Sequence, residues 1–293
     1  MKALFIGFLL NISVVGCIQV VEPLVPFTER LVVQSYISPQ DSVIIVAVGK
    51  SAPLTGMGLA NRLVNPKDVT VRLTAVGGTS VTLINQAMSQ VDSANGWVRF
   101  GALARTFPVE YGKSYQLSVS HPQLGVAEGT CTVPARRIDR VSVNVDVSKR
   151  PDVPGGPLTV GINWKDPDNA PTYYSCTLYS SIELTDPLAT PRVITTSQPT
   201  LYLSDENKTG DLVGSGIRFP VSGTERLFTN QSFVVVSVCL TDESYYQYNS
   251  SLTRQRREQT ASQIPEPVAI VSNIRGGFGV FGAYTITNIL TRL

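Results

Sequence analysis

Val71-Arg72-Leu73-Thr74-Ala75-Val76-Gly77-Gly78-Thr79-Ser80-Val81-Thr82-Leu83-Ile84 decides the fold class. Val71, Leu73 and Ala75 alternate with Arg72 and Thr74, the period of a strand with one buried face. The run meets Gly77-Gly78 and is followed by a second run, Thr79 to Ile84. A two-residue glycine joint suits a hairpin, because the favoured short turns need positive φ angles that glycine reaches without strain. Working outward, similar runs are Leu31 to Ile37, Val43 to Val48, Tyr115 to Ser120, Val141 to Val147, Leu158 to Trp164, Tyr173 to Tyr179 and Phe233 to Leu240. Turn residues separate them and no helices alternate with them. The expected class is therefore mainly β, two antiparallel β-sandwich domains rather than a parallel α/β sheet.

A domain boundary is expected near Pro134, where the strand-like Gly125 to Val133 gives way to the polar Ala135-Arg136-Arg137 before alternation restarts at Ile138. Pro151 to Pro157 reads instead as a loop joining two strands of the second domain. In that domain, Leu158 to Pro167 with Trp164, followed by Tyr173-Tyr174, resembles the Trp strand and the next Tyr strand of fibronectin type III modules. A buried Trp at an inward strand position speaks to fold and not to function.

Composition narrows the function classes. The 293 residues are 43% apolar, with 24 Lys and Arg against 22 Asp and Glu for a net charge of +2. That much apolar content excludes a disordered chain, and a near-neutral balance argues against nucleic acid as a partner. The single histidine, His121, cannot supply a zinc site of the HExxH kind.

The first residues read as a targeting signal. Lys2 supplies a positive charge, and the apolar stretch from Ala3 to Val15 is shorter than the roughly 20 residues that span a bilayer. It ends in Val14-Val15-Gly16-Cys17, which resembles the lipobox of bacterial lipoproteins. The resemblance implies cleavage after residue 16, lipidation of Cys17, and anchorage without a transmembrane helix, since each buried methylene contributes about 0.8 kcal/mol. Ile18 follows the Cys, with no Asp to mark inner-membrane retention, which favours the outer membrane. Ile18 to Glu22 carries one acid, a poor match to the acidic run of surface-exported lipoproteins, so periplasmic and external orientations both stay open. Residues 17–29, with Pro23 and Pro26, read as an extended tether, 30–134 as the first domain and 135–293 as the second.

With Cys17 assigned to lipid, Cys131, Cys176 and Cys239 remain. Cys176 alternates in phase with Tyr174 and Leu178, and Cys239 with Phe233 and Val235. Two arrangements stay open, a Cys176–Cys239 disulfide or two buried thiols. No CxxC pair supports a redox role.

From Thr241 to Thr260 the strand rhythm stops. The stretch has no Gly or Pro, begins with Asp242 and Glu243 and ends with Arg254, Arg256 and Arg257, the charge order that complements a helix dipole. A helix is expected over about 242–260, capped by Thr241 or Asp242. Tyr245, Tyr248 and Leu252 share the face expected to pack on the sandwich, which turns Tyr246 and the arginines elsewhere. Eight of the eleven tyrosines follow residue 135, and Tyr246, Arg254 and Arg257 are the candidate contact surface.

Glu266-Pro267-Val268 through Ser272-Asn273-Ile274-Arg275-Gly276-Gly277-Phe278-Gly279-Val280-Phe281-Gly282-Ala283-Tyr284 then resembles the closing motif of a Bacteroidota lipoprotein family defined as domain of unknown function 4249. The lipobox, the strand Leu31 to Ile37, the Thr132 to Pro134 junction, the Trp-Lys-Asp-Pro stretch and the Tyr-rich helix match the same family. Its members are commonly encoded beside TonB-dependent outer-membrane transporters, which implies an accessory role at such a transporter. The resemblance supplies no catalytic residues.

The closing motif (273–284) also contains Gly277-x-Gly279-x-x-Gly282, the dinucleotide-binding spacing. That fingerprint needs a following helix and an acid about 20 residues on. Ala283 to Asn288 reads as a strand, so the glycines are expected to permit tight turns and close approach while Phe278, Val280 and Phe281 pack. Asp166-Pro167-Asp168-Asn169 lacks the spacing of a calcium loop and reads as a turn. Asp205-Glu206 reads as loop acids, and His121, with no Gly-x-Ser-x-Gly in the chain, as a strand-end residue. No cofactor or metal is expected.

The function expected from these features is non-catalytic: an outer-membrane lipoprotein that serves a TonB-dependent transporter as accessory or ligand-binding partner. The alternatives are a glycan or peptide hydrolase using carboxylates, recognisable by two close carboxylates in a pocket, or a structural or adhesive sandwich lipoprotein.

Overall fold

The computed structural model describes residues 27–52, 62–87, 89–149, 158–167, 171–184, 192–206, 212–221, 231–261 and 268–293. The chain is mainly β, as expected, with fifteen strands among these residues. The Gly77-Gly78 hairpin forms β3 (Thr70–Ala75) and β4 (Ser80–Asn85), with Val71 opposite Leu83 and Gly77 at φ +74° in the turn.

β1 (Leu31–Ile37), β2 (Val43–Lys50), β5 (Val98–Leu103), β6 (Ser114–His121) and β7 (Gly125–Thr132) complete the first unit. Its strands run in the order β1-β2-β5-β4-β3-β6-β7 and enclose one core, which includes Leu31, Val33, Val46, Leu73, Leu117 and Val133. β8 (Val143–Lys149), β9 (Leu158–Lys165) and β13 (Leu212–Pro220) form a separate three-stranded sheet, ordered β13-β9-β8. It packs on a sheet built from β10 (Tyr173–Leu184), β11 (Arg192–Ser197), β12 (Leu201–Ser204), β14 (Phe233–Thr241) and the last strand, β15 (Phe278–Arg292). Trp164, on the central strand of the three, is fully buried, with its ring edge-on to Tyr174 at 5.4 Å. Val133 belongs to the first core and Ile138 to the second.

β15 departs from the expected arrangement. Its second half pairs antiparallel with β14, from Tyr284 opposite Thr241 to Arg292 opposite Phe233. Its first half pairs parallel with β1, from Phe278 beside Val32 to Ala283 beside Ile37. One 15-residue strand thus joins both units into a single twelve-stranded sheet, and the sandwiches are not purely antiparallel. Just before it, Arg275 exchanges both backbone hydrogen bonds with Glu128 of β7, at 2.7 and 2.9 Å, and their side chains form an ion pair. Ile274, Phe281 and Ala283 enter the first core. The closing motif, grouped by its place in the chain with the second domain, therefore closes the first by bridging its two edge strands. Burying Phe281 there contributes about 2–3 kcal/mol.

The motif's glycines lie within and beside β15. Gly279 sits at φ +117°, and a Cβ there would fall 1.9 Å from the Val33 carbonyl oxygen. Phe278 does not pack as expected: it is 46% exposed under the Arg30 guanidinium, 5.6 Å from the ring centre, while Val280 and Phe281 are buried.

Candidate functional site

The 19-residue helix α2 (Glu243–Ala261) lies across the sheet face opposite the two cores, and tyrosines seat it. Tyr245 meets the rings of Tyr36, Tyr202 and Tyr284 at 4.7, 6.4 and 6.0 Å, and Tyr246 stacks on Tyr173 at 4.9 Å. Gly282 makes this approach possible, since a Cβ there would stand 2.9 Å from that of Tyr245. Tyr36 donates to Asn249 at 3.1 Å, and Val271 N–H donates to the buried Ser251 at 3.0 Å.

Asp242 caps the helix, as the charge order suggested. Its Oδ1 accepts from Tyr245 N–H at 2.9 Å and from Ala283 N–H of β15 at 3.1 Å, and the Thr132 N–H of β7 also serves the carboxylate. One side chain therefore ties the helix to both units. Burial raises its pKa from 3.8 to about 6, against the lowering effect of those three N–H groups. Because the folded value lies above the unfolded one, this residue's contribution to stability is full below pH 3.8 and is lost as pH rises through about 6. That amounts to roughly 3 kcal/mol across the interval. Asp242→Asn is expected to flatten this part of the profile, measured as the difference in urea midpoint between wild type and variant from pH 4 to 7.5.

Further along, α2 forms one wall of a groove of about 610 Å³. Tyr248, Leu252 and Arg256 face it from the helix, and Val32, Gln34 and Gly49 line it from β1 and β2. The third side is the turn from α1 (Gln90–Ala94) into β5, which carries Trp97. That turn is held by the buried Asp92, which receives Ser89 Oγ at 2.6 Å and pairs with Arg99 at 2.7 Å, while its carbonyl accepts from Trp97 N–H at 2.9 Å. A Cβ on Gly49 would meet the Gly96 carbonyl oxygen at 2.7 Å, so glycine lets the Trp97 turn rest on β2. Arg62 and Lys50 complete the cationic lining, and Lys50 is paired with Glu29 at 2.8 Å. Burial raises the Tyr248 phenol, partly offset by Arg256.

Residues 19–289 match the family model described as Domain of unknown function (DUF4249). The chain belongs to that family. No curated protein matches it. A solved structure, trypsin-activated alpha-2-macroglobulin from Escherichia coli, aligns at 11% identity and a TM-score of 0.27, covering 73% of this chain and 14% of its own. The chain thus spans about a seventh of that protein's length, and the similarity bears on neither fold nor function.

In this DUF4249 chain the remaining sequence candidates fall as follows. Cys17, the signal and most of the tether lie outside the described residues, as do Asp168 and Asn169. The Cys176–Cys239 disulfide is not formed, and Cys131, Cys176 and Cys239 are buried free thiols. Cys176 pairs with Val238 and Cys239 with Ser175 across β10 and β14, so the two thiols point to opposite faces. Cys176 faces the core with Tyr174 and Leu178, while Cys239 faces away from it. Burial pushes the thiols up to about 12 and about 11, respectively.

Tyr246 is half-buried in its stack, whereas Arg254 and Arg257 are exposed. Asp166 and Asp205 do come together. Tyr174 hydroxyl reaches them at 2.8 and 3.4 Å, and Asp205 also accepts from Thr172 N–H at 2.6 Å. Burial, and then the neighbouring Asp166, raise Asp205. Glu206 receives the Tyr173 hydroxyl at 2.5 Å. His121 Nδ1 accepts from Gln123 N–H at 3.1 Å and so organises its own turn. The groove residues Arg62 and Trp97 were not singled out by sequence, although Trp97 is one of only two tryptophans.

Proposed function

We propose that this protein is a non-catalytic lipoprotein, held at the outer membrane through Cys17, that works by binding as an accessory of a TonB-dependent transporter. The observation that carries the binding reading is the groove between α2 and the β1–β2 face, with its aromatic and cationic lining. The lipobox resemblance at Cys17 and membership of the DUF4249 family support the address. The two close carboxylates do not line this groove, and their spacing argues against a glycosidase pair. Asp166 and Asp205 share one Tyr174 hydroxyl and a mutual hydrogen bond, closer than the roughly 5 Å or more that glycosidase carboxylates keep. Among the described residues, no helix is long and apolar enough to cross a membrane.

The test has two parts. Cys17→Ser is expected to abolish incorporation of labelled palmitate, and continued labelling refutes the anchor. A tagged wild-type protein extracted in mild detergent is expected to bring a TonB-dependent transporter with it. Failure under conditions that preserve known transporter complexes refutes the accessory role.

A further inference from the structure

We infer that the groove between α2 and the β1–β2 face binds a short oligosaccharide carrying an acidic group. The inference rests on the reading of this protein as a binding protein and names the ligand class. The volume of about 610 Å³ lies in the range of small-ligand sites. Trp97 and Tyr248 bring two aromatic rings from different elements, each able to take the apolar face of a sugar ring. Gln34 and Asn95 add side-chain amides that donate to and accept from hydroxyls.

The charge is one-sided. Among the described residues no acidic side chain lines the groove, and with Lys50 neutralised by Glu29, the exposed Arg62 and Arg256 offer guanidinium forks suited to a carboxylate or sulfate. An acidic peptide would satisfy the charge as well, but the backbone argues against one. β1 lies between β15 and β2, and β2 between β1 and β5, so the floor presents no free strand edge to an extended chain. Sugar recognition needs only side-chain faces and hydrogen bonds, which is what the groove supplies.

The experiment is calorimetric titration of the full-length protein in detergent with uronate, sialate and sulfated trisaccharides, their neutral counterparts, and hexaglutamate. Saturable binding of at least one acidic trisaccharide is expected, weakening with added salt, and at least tenfold weaker for its neutral counterpart. Arg256→Gln and Trp97→Ala are each expected to weaken it about tenfold or more, while Arg218→Gln, on the separate three-stranded sheet, leaves it unchanged. Arg256 is exposed, so its variant keeps the test valid if Trp97→Ala fails to fold. Equal binding of the neutral sugar, preference for hexaglutamate, no binding of any acidic sugar, or indifference to Arg256→Gln overturns the inference. Transporter co-purification is scored separately, so the ligand class can fail while the accessory role stands.

Discussion

Gly279→Val is expected to destabilise the protein by about 4 kcal/mol or more, a large share of the roughly 5–15 kcal/mol that holds a typical domain folded. Two costs combine. A β-branched side chain at φ +117° is strained in itself. Its Cβ would also overlap the Val33 carbonyl oxygen, 1.9 Å away, and that oxygen belongs to the paired strand β1, which cannot retreat without breaking the sheet. Gly125→Val separates the two terms. Gly125 has φ +80°, but a Cβ there would meet nothing within 4 Å, so only the backbone strain of about 1–3 kcal/mol applies. Urea denaturation of the two variants measures the difference, and equal losses would mean that the β1–β15 contact contributes little.

The second expected result is loss of folding in the isolated first unit. Residues 27–137 hold all seven strands β1 to β7, yet expressed alone they are expected to give a broad, undispersed NMR spectrum and to associate. Without the closing motif, β1 loses its parallel partner and β7 loses Arg275 and Asn273, whose amide donates to the Thr130 carbonyl at 3.0 Å. Two unpaired edges and a core without Ile274 and Phe281 remain, a template for aggregation. A peptide spanning 268–293, added in trans, should restore dispersion. A monomeric, well-dispersed fragment without it would show that β15 decorates the first unit rather than completing it.

Most strands were legible because one face of each is wet, as in Val71-Arg72-Leu73-Thr74, where alternation survives. β14 was not legible in phase. Val234, Val236 and Val238 face the core, but Val235 and Cys239 on the other row are apolar too, with Tyr245 of α2 beside Cys239. With both rows apolar, alternation carries no sign, and Cys239 could not be placed. The parallel β1–β15 pair was invisible for a different reason. Side-chain period reports burial and says nothing of which strand lies alongside. The helix and its cap were readable from local charge order at Asp242 and Glu243. The groove was not, since Val32, Arg62, Trp97 and Tyr248 are distant in the chain and meet only after the sheet and helix are assembled. The tyrosines were visible as an excess late in the chain, but their use, seating α2 on Tyr36, Tyr202 and Tyr284, depends on the strand order.

The Glu128–Arg275 bridge spans 147 residues of chain. At about 5–20 residues per second, a ribosome takes roughly 7–30 seconds to deliver the second partner after the first. Throughout that interval β7 has no neighbour on its outer side, so the part of the molecule made first is finished last. The sheet of the first unit therefore stays open at this edge until the final strand arrives, and a premature stop anywhere before residue 275 leaves both halves incomplete.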